Sequence, residues 1–169
     1  FCFAEEQTHG RGRLGRNWHS PFASNLYFSF LWQSQKDISE LSGLSLVISL
    51  SVLEGLKAAG FKEKILIKWP NDLVYEQKKL SGTLLEIKAE SYGFTKIIAG
   101  IGINVNMQKA QKNEINQAWI SLSQITKNIC DRNLISRKIV QQLLQNINLY
   151  HDHGFLYFKN QFQQYDGLK

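Results

Sequence analysis

Three arginines alternate with glycines in the segment Gly10-Arg11-Gly12-Arg13-Leu14-Gly15-Arg16. Glycines in such a loop let backbone N–H groups wrap a small anion, while guanidinium forks take carboxylate or phosphate oxygens. Taken alone, the loop equally suits a solvated segment or one that touches nucleic-acid phosphates. Its spelling matches GxGxxG, but the dinucleotide fingerprint needs a helix directly afterwards, and Asn17-Trp18-His19-Ser20-Pro21 is a poor helix start. The kinase reading fails for want of His-Arg-Asp and Asp-Phe-Gly, and no GxxxxGK[ST] supports a P-loop.

Three further segments carry groups of the same kind. Lys68-Trp69-Pro70-Asn71-Asp72-Leu73 sets an amide and a carboxylate just after a rigid Trp-Pro turn at a strand end. Turn residues of this type often hydrogen-bond their own backbone, which is the plainer reading of Asn71 and Asp72 by themselves. Lys79-Leu80-Ser81-Gly82-Thr83-Leu84-Leu85-Glu86 brings a lysine to the start of a strand that Gly82 would open to a ligand. Gly100-Ile101-Gly102-Ile103-Asn104 thins another strand with two glycines; by itself it also reads as a strand with bulges.

The elements that position these segments follow from periodicity. Residues 1–6 read as a strand entered midway, with sequence upstream expected to be missing. Residues 25–32 read as a buried aromatic strand, and 38–59 carry helical spacing that stops at Gly60. Residues 65–68 form a short strand ended by Pro70. Residues 73–75 and 80–87 flank a polar turn at 76–79, and 96–105 form a further buried strand. Helical spacing returns over 134–150, with Asn133 as N-cap and Gly154 as stop, and a second helix is expected over 155–164. Consecutive strands between helices predict an α+β fold, a mixed, mainly antiparallel sheet with helices packed on one face.

Composition narrows the class without choosing a function. A chain of 169 residues, 43% hydrophobic and 12% aromatic, has the size and core of one domain. The net charge of +6 is gathered mainly in the Arg11–Arg13–Arg16 loop and at Lys78-Lys79, which resembles a pocket more than a nucleic-acid stripe. No run of about eighteen uncharged apolar residues and no leader pattern appear, so a soluble, cytoplasmic protein with no membrane partner is expected. Cys2 and Cys130 form no CxxC and are expected to be buried free thiols. His151 and His153, two apart on a helix end, point to different faces and are expected to be solvated, not metal-bound. Trp32 reads as core packing.

Together, and in this order, the four segments resemble the biotin protein ligase family: Gly-Arg-Gly-Arg-x-Gly, Lys-Trp-Pro-Asn-Asp, Lys-x-Ser-Gly and Gly-Ile-Gly-Ile-Asn. Trp18, Ser20-Pro21, Asn25-Leu26-Tyr27 and the stretch 116–120 extend the likeness over nearly the whole chain. The resemblance implies the class II synthetase-like catalytic fold over residues 1–169, incomplete at its N-terminus. A small C-terminal β domain would begin near Lys169, and no N-terminal DNA-binding domain is expected in this chain. It implies ATP-dependent conversion of biotin to biotinyl-5'-AMP, with Mg²⁺, then transfer to a lysine of the biotin carboxyl carrier protein of acetyl-CoA carboxylase.

The site residues implied are Arg13 and Lys79 for catalysis, with Asp72 as a metal ligand. Gln7, Arg11, Gly12, Arg13, Lys79, Gly82, Leu84, Gly100 and Gly102 would bind biotin. Arg11, Arg13, Arg16, Trp18, Asn71, Asp72, Lys79 and Asn104 would bind ATP and the adenylate. A homodimer through an exposed sheet edge is a further expected partner, and no nucleic acid is expected through this segment. The competing readings are a lipoate ligase or octanoyl transferase, the latter needing a pocket cysteine, and a salt-sensitive nucleic-acid module built on the basic loop.

Overall fold

The computed structural model describes residues 1–88, 94–109 and 115–167. Aromatic and β-branched residues at alternate positions draw six strands into one sheet: β1 (Cys2–Ala4), β2 (Leu26–Ser34), β3 (Leu66–Lys68), β4 (Asp72–Tyr75), β5 (Lys78–Lys88) and β6 (Thr95–Ile103). Their order across the sheet is β1-β2-β6-β5-β4-β3. Among the described residues every ladder is antiparallel, and parallel pairing is confined to the isolated bridges of Ile67 with Asp166 and Lys79 with Trp119. The expected α+β architecture, mainly antiparallel with helices packed on it, is the one observed.

Leu26, Phe28 and Phe30 of β2 and Ile97, Ala99, Ile101 and Ile103 of β6 point to one face and are buried. The helices α1 (Leu44–Ala58) and α3 (Arg132–His153) pack over that face, joined by the short α2 (Leu122–Thr126) and α4 (Lys159–Gln164). Between them α1 is apolar nearly all round, as a helix enclosed on both sides must be. Its buried hydroxyls return to their own helix: Ser49 donates to the Ser45 carbonyl and Ser51 to that of Val47. The stretch Ile38–Ala58 is long and apolar enough to cross a bilayer, but most of it is buried within the fold, as expected of a core segment.

Several local expectations are corrected. The helical run 38–59 is broken: Ile38–Leu41 is a 3-10 turn capped by Asp37 and Glu40, and α1 starts only after Gly43. Gly43 has φ 79°, and a Cβ there would lie 2.4 Å from the Phe155 ring. The N-cap of α3 is Asp131, not Asn133; its carboxylate accepts from the N–H groups of Asn133 and Leu134. Residues 155–158 form a 3-10 turn before α4. The hairpin turn is only Glu76-Gln77, both left-handed at φ 47° and 63°, so Lys78 and Lys79 are strand residues.

Among the side chains, both cysteines are free, but Cys2 is exposed on the edge strand and Cys130 is half-buried, against the expectation of burial. His151 and His153 are exposed, with His151 edge-on to Trp32 and His153 stacked on Tyr157. Trp32 itself packs on the core beside Tyr150.

Candidate active site

Alternation places the chemistry on the face of the sheet that α1 and α3 leave uncovered. Strand register aligns Ala4, Tyr27, Gly102, Gly82 and Asp72 in one row across that face. The next row holds Cys2, Ser29, Gly100 and Leu84, and a third Leu31, Ile98 and Glu86. Two glycines side by side in the first row make a smooth floor, and the arginine-glycine loop arches above it. The cleft between them is about 660 Å³, the size that encloses a small molecule.

The loop is itself a small hairpin. Gly12 N–H donates to Arg16 O at 2.7 Å, Trp18 N–H to Gly10 O at 2.8 Å, and Arg11 and Asn17 form an antiparallel bridge. Leu14 and Gly15 turn the tip at φ 55° and 71°, leaving Leu14 exposed. Gly10 is required at the base, since a Cβ there would sit 2.4 Å from Trp18 O. Gln7 is tied there too, accepting from the Ser20 hydroxyl at 2.9 Å.

Two of the three loop arginines, Arg11 and Arg13, are held from the sheet. The Arg11 guanidinium meets the Glu86 carboxylate at two points, 3.1 and 3.2 Å apart. Arg13 Nη1 donates to Asn71 Oδ1 at 3.0 Å. Asn71 is in turn fixed by its amide donating to Thr83 O and by accepting Thr83 N–H. It therefore bonds a neighbouring strand and an arginine, not its own turn.

Trp18 lies on the glycine floor, so that a Cβ at Gly102 would stand 2.4 Å from its Cε2 and one at Gly82 would be 3.2 Å from its Cζ3. Its Nε1 is buried with no hydrogen-bond partner among the described residues.

Lys79 Nζ stands 2.9 Å from Asp72 Oδ1 and 5.4 Å from the Trp18 ring centroid. The contact with Asp72 is one of charge, because Oδ1 has no partner in hydrogen-bond geometry. The Lys79 backbone is pinned on both sides: its N–H donates to Ala118 O and its carbonyl accepts from Ile120 N–H. Asn104 completes this seam, its amide donating to the carbonyls of Lys79 and Ile120. Burial pushes the Tyr27 phenol well above its ordinary range, and it stays a neutral donor to Pro21 O.

Of the candidates drawn from the sequence, all but Asn104 line this cleft. Asn104 lies buried behind it and acts on the site through the Lys79 backbone. Glu86 was not among the candidates, although counting in twos from Gly82 and Leu84 along the strand reaches it. Cys2 also lines the cleft, away from the motif segments. The two carboxylates of the cleft, Asp72 and Glu86, are both paired with cations. Among the described residues no three His, Cys, Asp or Glu side chains gather to hold a metal.

An antiparallel sheet with an arginine-glycine loop arched over a glycine floor makes a cleft suited to a small anionic ligand. The chain belongs to the biotin/lipoate A/B protein ligase family, whose model matches residues 1–106. It is 36% identical over 167 residues to the bifunctional ligase/repressor BirA of Escherichia coli, covering 99% of this chain and 51% of that protein. It is also 36% identical over 106 residues to the biotin–[acetyl-CoA-carboxylase] ligase of Paracoccus denitrificans, covering 62% of this chain and 44% of that protein. In structure it resembles the biotin protein ligase of Aquifex aeolicus solved with biotin and ATP, at a TM-score of 0.82 and 35% identity. That likeness spans 98% of this chain and 67% of the other. The chain thus spans about half the length of the curated relatives it matches.

Proposed function

We propose that residues 1–169 are the catalytic domain of an ATP-dependent biotin ligase. It would convert biotin to biotinyl-5'-AMP and pass biotin to a lysine of a biotin carboxyl carrier protein, that of acetyl-CoA carboxylase. The placement of Arg13 and Lys79 in the cleft, with Arg11 on its outer side, supports this reading best, since it offers fixed cations in a cleft sized for a small acid.

In the first step a carboxylate oxygen of biotin bonds to the α-phosphorus of ATP as the bond to the β-phosphate oxygen breaks and pyrophosphate leaves. Negative charge builds on the phosphoryl oxygens, and the chain's task is alignment and charge stabilisation. Lys79, held by a rigid backbone, supplies its ammonium to those oxygens, and Arg13, aimed by Asn71, supplies a fork. In the second step the lysine nitrogen of the carrier bonds to the acyl carbon, the acyl–phosphate bond breaks, AMP leaves, and the nitrogen gives up a proton.

Gly12, Leu84, Gly100 and Gly102 shape the biotin side, with Gln7 positioned for its polar ring. Trp18, Asn71 and Arg16 face the nucleotide, and Asn104 holds the strand that bears Lys79. Mg²⁺ fits as an ion carried by the phosphates, with Asp72 as the available carboxylate; bound, it would neutralise phosphate charge. A cage built by the protein alone does not fit these residues, because Asp72 already faces Lys79. We further propose a cytoplasmic protein that forms homodimers through a sheet edge, without nucleic-acid contact through this segment.

The test is mass spectrometry of the intact protein with ATP, Mg²⁺ and equimolar biotin, lipoate and octanoate. Biotinyl-adenylate alone is the expected product; lipoyl-adenylate would move the assignment within the family, and no acyl-adenylate would overturn it. With an octanoyl thioester supplied in a parallel reaction without ATP, an acyl-enzyme on Cys2 formed with release of the donor thiol would favour an octanoyl transferase. Arg13→Gly and Lys79→Ala should each lower the adenylation rate on the order of a hundredfold, the cost of a desolvated charge contact at the transition state. An Arg13→Gly protein with normal adenylate turnover and retention would refute the role given to the loop.

A further inference from the structure

We propose that Glu86 is a positioning residue: its carboxylate latches the arginine-glycine hairpin to the sheet and so sets how long an activated intermediate is retained. The ligand part of this inference rests on the ligase reading above, while the latch itself does not. Glu86 stands in the third row of the open face, two residues beyond Leu84, where alternation aims its side chain at the loop. Both of its oxygens are engaged by one guanidinium, Arg11 Nη1 on Oε1 at 3.1 Å and Nη2 on Oε2 at 3.2 Å. A two-point fork fixes orientation as well as distance, which a single contact does not.

The position of Arg11 makes this pairing consequential. Arg11 lies in the leading arm of the hairpin, bridged to Asn17 in the returning arm, so holding Arg11 holds both arms. The hairpin's other ties reach inner elements: Arg13 at the tip bonds Asn71, and Trp18 at the base lies over the glycine floor. Arg11 with Glu86 adds a fastening on the outer side of the cleft. The side chain of Glu86 is 40% exposed, so its removal leaves no hole in the core, and the pair is open to screening by salt. A solvated bidentate pair of this kind is worth about fivefold in the closed-to-open ratio of the loop.

Limited trypsin digestion of the intact protein without ligand reads the latch directly, because Arg11, Arg13 and Arg16 are themselves cleavage sites. In low salt, Glu86→Ala should be cut in this loop about fivefold faster than the parent, Glu86→Gln by an intermediate factor, and Glu86→Asp close to the parent rate. At about 1 M salt, where screening acts within about 3 Å, the rates should converge. The urea midpoint should be unchanged, separating loop opening from general unfolding.

With biotin and ATP added, Glu86→Ala should release biotinyl-adenylate about fivefold faster with a smaller change in the rate of its formation. Equal cleavage of Glu86→Ala and parent at low salt, or a difference that persists in high salt, overturns the latch. Faster cleavage with unchanged adenylate release overturns the positioning role. A parent protein that makes no adenylate counts against the ligase reading alone, since the digestion still decides the latch.

Discussion

Replacing Gly102 by alanine tests the glycine floor with a single methyl group. The added Cβ would lie 2.4, 2.5 and 2.6 Å from Cε2, Cζ2 and Nε1 of Trp18, where ordinary contact begins near 3.4 Å. The indole must therefore retreat by about 1 Å, and a gap of that size forfeits a large part of its dispersion contact with the floor. Overpacking of this kind costs about 1–3 kcal/mol in a closed core. Trp18 borders an open cleft and can swing outward, so the stability loss should lie at the low end, about 1 kcal/mol.

Recognition should suffer more, because the methyl and the displaced ring both intrude on the binding space. Biotin affinity is expected to fall by roughly 5- to 150-fold, the range that about 1–3 kcal/mol commands. Calorimetric titration with biotin gives the affinity and urea unfolding the stability. Acrylamide quenching, read against a Trp18→Phe control, reports exposure of the indole apart from the three other tryptophans. Unchanged quenching together with unchanged affinity would show that the ring does not rest on this floor.

Gly55 offers the opposite case. A Cβ there would meet the Ile139 backbone at 2.5 and 2.9 Å, so Gly55→Ala should push α1 from α3 and cost about 1–3 kcal/mol in urea unfolding, even after alanine's better helix propensity. Asp131→Ala should lose about 1 kcal/mol through its two capping bonds, and Asn133→Ala less than about 0.5 kcal/mol; equal losses would reject the cap.

The Tyr150 phenol, donating to Glu40 O and Ser42 O, is pushed up to about 12 by burial, with Glu40 adding to the effect. The folded state thus holds this proton more tightly than the unfolded chain. Its stabilising contribution is complete below pH 10 and lost as pH rises from 10 toward 12. The urea midpoint should fall across that window, and less in Tyr150→Phe; equal slopes in the two proteins would refute the linkage.

The apolar runs of β2 and β6 and the glycines at 82, 100 and 102 are local signals, enough to foresee strands that a ligand could approach, while the other cleft residues entered through the resemblance to the biotin protein ligase family. What escaped the sequence depends on partners far along the chain. The helical period runs unbroken through 38–59, and only packing of Phe155 against Gly43 shows why the chain breaks there. Asp131 and Asn133 are both good caps by type, and the backbone entering α3 chooses between them. Glu76-Gln77 adopt left-handed conformations without a glycine to signal them, so the turn reads two residues too long in the sequence, over 76–79. Glu86 was missed because its partner lies 75 residues away, and Asn104 was overcounted because a strand-end amide does not announce which side it faces.

The seam formed by Asn104 and the stretch around Trp119 gives Lys79 a fixed pivot. With its backbone pinned, the ammonium is confined to the reach of its own four-torsion stem, within which stand the Asp72 carboxylate and the Trp18 ring. A substrate must bring its charge within that reach, because the strand that carries Lys79 is tied on both sides and cannot slide to follow it. Tolerance for substrates of different length is thus limited by a joint made of main-chain atoms, outside the reach of most side-chain substitutions within the cleft.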